Sequence, residues 1–247
     1  MIKSIKTIHI IFICVFSSIF VACTNESRIE SPSEEAGSKK ITIEEHGVFH
    51  NEAILSVIEN STSSRSQETL GSVLHIMKER MTKKYPGKFK NLTINELKDI
   101  LDFDQRLSDF KYDADFYEKL KAKVGKEKIE KEILVLLDKA FYEGHISEED
   151  FPNTSLQNER LHTQFEIFKS YYYASEELWT KKVGEVYNID QSHKGCDPTS
   201  QVILADAIGG TLIGIFTGGV GAPAGGGAVS LAVRTAQLEE YGGGCIE

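Results

Sequence analysis

His46 and His50 stand four residues apart, the spacing that puts two imidazoles on one helix face as a pair of metal ligands. A third ligand would have to come from Glu45, Glu52, His75 or a distant residue. Gly47 between the histidines weakens a helix there, so the plainer expectation is a helix start with surface histidines and no metal. A hydrolase would be sought in the same place, with His50, Glu52 and His75 as catalytic candidates. Asp102, Asp104, Asp109, Asp113 and Asp115 suggest calcium, but the interval from Asp102 lacks the glycine that an EF-hand loop needs at its sixth position. A solvated helix boundary accounts for that acidic run. Tyr171, Tyr172, Tyr173 and Trp179 could stack on a sugar, yet at helical spacing Tyr172 and Trp179 read as core and the other tyrosines as half-exposed. Nucleophile elbows, phosphate-cradling loops and dinucleotide fingerprints are missing, because every glycine-rich run is apolar and follows no strand. An enzyme is therefore disfavoured, and no cofactor is expected.

The elements that would position these residues are helical. Val48, Phe49, Ala53, Ile54, Val57 and Ile58 form one stripe, closed by the polar cluster after Asn60. Leu70, Val73, Leu74, Met77 and Met81 form a second, which stops before Pro86 and Gly87. Thr93 with Glu96 reads as a capping box opening a third, with Leu97, Ile100 and Leu101 inward. Asp113 or Asp115 opens a helix to Val124; Ile129 to Phe141 is strongly amphipathic; Ser147 and Asp150 cap a short turn ending at Pro152. Leu156 to Tyr187 is a long helical pattern with Leu161, Phe165, Phe168, Leu178, Trp179, Val183 and Val186 inward. Strand-like alternation is almost absent, so the expected fold is mainly α, a helical bundle domain over 41–190.

Ahead of it lies an address. Lys3 and Lys6 precede an uncharged run from Ile8 to Val21, closed by Ala22 and Cys23. This is too short and too asymmetrically flanked for a permanent span. It resembles the signal of bacterial lipoproteins, with Phe20 where that family has a leucine; the resemblance implies a signal peptide over 1–22 and acylation of Cys23, which anchors the chain to the lipid bilayer of the bacterial cell envelope. Thr24 in place of an aspartate resembles enteric sorting to the outer membrane, while the acidic residues near the cysteine resemble surface export in other lineages, so the membrane face stays open. Residues 23–40 are poor in large apolar side chains and read as a flexible tether. Without residues 1–22 the chain keeps 26 basic and 37 acidic side chains, a formal charge of −11. That surface repels phosphate backbones, so nucleic acid is not an expected partner. The string Gly47 to Glu52, together with the composition of the tail, is similar to uncharacterised exported bacterial proteins and implies no activity.

The tail, 196–247, is the unusual part. Ala207 to Val233 carries no charge, and Gly210, Gly214 and Gly218 recur every fourth residue, which on a helix makes a groove where a backbone can approach closely. The segment resembles glycine zippers and the glycine-laden helices of pore-forming bacteriocins, implying self-association into a homo-oligomer or membrane contact; a tightly packed hairpin within a soluble assembly is an equal reading. Asp197 and Pro198 read as a helix start, Gly221 to Pro223 as a break and Gly242 to Gly244 as an end. Cys196 and Cys245 have the same midpoint, near residue 220, as Asp206 and Arg234. One antiparallel hairpin would join both pairs, the first as a disulfide and the second as an ion pair. Its arms, roughly 21 Å from charge to turn, fall short of the roughly 30 Å hydrocarbon core, and Gly225 to Gly227 should fray the second arm. Two functional classes follow: a lipid-anchored protein working through its glycine-rich hairpin, and a helical ligand- or partner-binding module with an inert tail.

Overall fold

The structure, a computed structural model, describes residues 41–60, 67–152, 158–183, 197–239 and 245–246. The fold is mainly α: α1 Ile43–Asn60, α2 Leu70–Lys84, α3 Ala114–Val124, α4 Lys131–Glu143, α5 Glu159–Glu177, α6 Pro198–Thr217 and α7 Ala222–Glu239. Among the described residues the only strand-like pairing is an isolated antiparallel bridge between Thr69 and Arg106.

The glycine-rich tail is a helical hairpin, as its symmetry suggests, but it is no appendage. α6 and α7 pack on each other, on α1 and on α5, so that four helices form the bundle while α2, α3 and α4 close its sides. The described residues from Ile41 onward pack as one compact unit that includes the α6–α7 hairpin. The physical reason lies in the apolar surface. The described part of α7 is buried from Ala222 to Gln237 and α6 is buried over most of its length, and a helix apolar on every side has to be surrounded.

Local chemistry accounts for the ends. Asp197 caps α6 by accepting from the Thr199 amide, Pro198 fills the first turn, and Gly218 ends the helix at φ 66°. Gly219 follows at φ 98°, and α7 starts at Ala222. The expected fraying at Gly225 to Gly227 does not occur, because each of the three is hemmed in. A Cβ on Gly225 would stand 2.8 Å from Ile213, one on Gly226 2.9 Å from the Cα of Gly210, and one on Gly227 3.1 Å from Ile54. Packing on three sides offsets the roughly 1 kcal/mol of helix propensity that each glycine gives up.

Two stretches depart from the sequence pattern. Ile94–Asp99 is a 3-10 helix rather than an α-helix, and Thr93 Oγ1 donates to the Glu96 side chain without capping the backbone. The chain then runs out to present the carbonyls of Phe103 and Gln105 to the amides of Gly71 and Leu70. The acidic segment thus satisfies orphan donors at the start of α2, beside the Thr69–Ser72 capping box. In α5 the fully buried tyrosine is Tyr171, with Tyr172 only half-buried. Helix α5 ends in a π-helical turn, Leu178–Lys182, which carries Trp179 into the core.

Candidate functional site

The histidines that open α1 are not on the surface. His46 is 3% exposed and His50 is 0% exposed, because the buried face of α1 is rotated toward them and leaves Val48 at 55%. Gly47 explains the rotation. A Cβ there would stand 2.5 Å from the Ser170 carbonyl oxygen and 2.7 Å from the Ala174 Cβ, so only glycine lets α1 and α5 cross this closely. Polar bonds lock the crossing: Gly47 N–H donates to Ser170 Oγ at 3.0 Å, Ser170 Oγ donates to the Ile43 carbonyl, and Asn51 Nδ2 donates to the Ala174 carbonyl.

Beneath that crossing lies a buried polar cluster. Asp206 of α6 is 0% exposed and accepts through Oδ2 from Ser175 Oγ and from Trp179 Nε1, the latter at 2.9 Å. Its Oδ1 lies 3.1 Å from His50 Nε2. Neither of those two atoms makes an aligned hydrogen bond, so the contact is one of charge and distance rather than of direction. The Tyr171 and His50 rings meet perpendicular to each other, 5.2 Å between centroids, and Tyr171 Oη lies 3.1 Å from His46 Nδ1. Burial, and then the charge of Asp206, push the phenols of Tyr171 and Tyr112 above their usual range. Burial also lowers His46, to about 4, against the smaller opposing pull of Glu45.

Asp206 and Arg234 were expected to meet. Instead Asp206 is engaged by His50, Ser175 and Trp179, while Arg234 Nη1 donates to Gln237 Oε1 at 2.9 Å. Gln237 in turn donates to the Pro198 carbonyl and to Gln201 Oε1, and Gln201 holds both backbone groups of Ile246. Cys245 beside it is disulfide-bonded; Cys196 lies outside the described residues. Cys23 also lies outside them, as do the 1–22 segment and the 23–40 tether.

The catalytic candidates do not converge. His50 is sealed in the core, Glu52 pairs with Lys84 on the surface, and His75 Nδ1 is bonded to the carbonyl of Gly71 one turn earlier in α2. Among the described residues no group of His, Cys, Asp or Glu is arranged to hold a metal. Nor is the Gly210, Gly214 and Gly218 stripe a free face. A Cβ on Gly210 would stand 2.7 Å from the Tyr171 ring, one on Gly214 would stand 3.2 Å from Ala222 Cβ, and Gly218 is the left-handed cap. Asp206 is a core acid. A lone acid in an apolar helix needs partners, and here they are His50 of α1 and Ser175 and Trp179 at the end of α5.

An open groove of about 920 Å³ lies at the hairpin-turn end of the bundle. Ile41, Ile43, Ile167, Ile215 and Val220 give it apolar walls, and His46 is at its edge. Comparison with known protein families, with curated proteins and with solved structures found no match.

Proposed function

We propose that the chain is an exported lipoprotein, held on the envelope membrane through acylated Cys23, whose helical bundle is a binding module for an apolar ligand. The observation that supports the module is the groove, whose volume lies within the roughly 300–1,000 Å³ of small-molecule sites and whose surface is mostly apolar. The same packing argues against the reading in which the hairpin acts on bilayers or on other chains. To do so α6 and α7 would have to leave the bundle and strand Asp206, His50 and Trp179 without one another.

Two measurements test the proposal. Radioactive palmitate should label the wild type and leave Cys23→Ala unlabelled. The neutral dye 1-aminoanthracene should brighten on binding the mature chain, and Thr163→Trp, which fills the groove from the partly exposed side of α5, should abolish the signal. Equal labelling of the two chains refutes the anchor. Equal dye binding by the wild type and Thr163→Trp refutes the module.

A further inference from the structure

The ligand's chemistry is written in the polar atoms of the groove. Most of its surface is apolar, and the charged residues that line it, Glu127, Lys128, Glu159 and Arg160, balance in sign. Arg160 is already engaged, with Nε 3.2 Å from Glu130 Oε1 and Nη2 donating to the Glu127 carbonyl. Gln164 is consumed as well, accepting from the Glu130 amide and donating to the Lys128 carbonyl. Of the other polar side chains, Thr42, Lys128 and Glu159 are exposed and Thr163 is partly so. His46 is the nearly fully buried one, an imidazole whose Nε2 lies 3.6 Å from where a Cβ on Gly219 would be.

The tautomer follows from hydrogen-bond accounting. Tyr171 Oη and His46 Nδ1 share one bond at 3.1 Å. If the phenol donates, Nδ1 accepts and the imidazole proton sits on Nε2; if Nδ1 donated, the buried phenol proton would need a second acceptor, and among the described residues this is the one bond the phenol makes. The satisfied arrangement therefore turns an N–H toward the groove. Because burial holds His46 down to about 4, that imidazole is a neutral donor near pH 7.

We propose that the groove binds the acyl chain of a free lipid, its hydrocarbon along the apolar walls and its carbonyl oxygen accepting from Nε2–H of His46; this rests on the binding-module reading above.

The test uses the mature chain with Cys23→Ser and two neutral dansyl probes, methyl 11-(dansylamino)undecanoate and the chain-matched N-decyl dansylamide, which lacks the carbonyl. The groove should bind the ester about five- to tenfold more tightly, the worth of one hydrogen bond. His46→Phe keeps a ring and removes the donor, so it should bring the two probes to equal affinity. A ratio of affinities does not respond to a general loss of stability. If both probes bind equally while Thr163→Trp excludes them, the groove stands and the carbonyl contact is overturned. If neither binds, both this inference and the binding-module reading fail.

Discussion

Replacing Asp206 by alanine should be among the most damaging single changes outside the helix-crossing glycines. The carboxyl group is fully buried, receives Ser175 and Trp179 on one oxygen, and faces His50 at 3.1 Å on the other. Alanine orphans two donors and leaves His50 without its partner, at about 4 kcal/mol in total. With roughly 2–4 °C per kcal/mol for a domain of this size, the melting temperature should fall by about 8–16 °C. Asp206→Asn keeps an oxygen for Trp179 and Ser175 and removes only the charge, so it should cost about half as much. A double-mutant cycle of Asp206→Asn with His50→Leu, read by urea denaturation, isolates the pair, and a coupling of about 1–3 kcal/mol is expected. A coupling indistinguishable from zero, or an alanine variant within 1 kcal/mol of wild type, would refute the account of the core as held by this pair.

Gly226→Ala should cost about 1–3 kcal/mol, since its Cβ would lie 2.9 Å from the Cα of Gly210 and backbone cannot step aside. Gly87→Ala, where nothing lies within 4 Å, should stay within about 0.5 kcal/mol in the same denaturation series. Stability should also fall as pH drops from 6.5 to about 4. His46 binds its proton at about 4 when folded and at 6.5 when unfolded, so the unfolded state takes up protons first and gains roughly 3 kcal/mol over that window. His46→Phe should flatten the slope, and a wild-type stability that rises on acidification would contradict the burial. Asp150, which Lys139 holds down to about 2, contributes above the ordinary carboxylate range and is lost only as pH falls toward about 2, so the two windows are separable.

Periodicity carried the helices well. The α2 stripe is buried at every expected position, and Asp113, Ser147 and Asp197 open helical turns where their types say they should. What periodicity could not carry was rotation. Val48 and Tyr172 share their helices' apolar spacing with Phe49 and Tyr171, and only the close approaches at Gly47 and Gly210 decide which residue of each pair turns inward. Those approaches join residues 123 positions apart at Gly47 and 39 apart at Gly210, beyond any local window. The groove has the same character: Ile41, Ile167 and Val220 come together only once the hairpin turn lies against the starts of α1 and α5.

The glycine-rich hairpin shows why composition alone leaves two environments open. α6 is long and apolar enough to pass as a membrane span, with a mean hydropathy of 1.4 over its best window. Lipid and protein interior both accept such a helix, because each asks only that its backbone bonds be internal and its sides apolar. What separates them is the polar residue in the middle. A lone Asp206 in hydrocarbon has no answering group, whereas in the bundle α1 supplies His50 and α5 with its π-helical turn supplies Ser175 and Trp179. The glycines matter for the same reason. Gly47, Gly210 and Gly226 bring three helix pairs close enough for short side chains to reach one carboxyl group, so small residues that resemble an interface between molecules serve the centre of a single one.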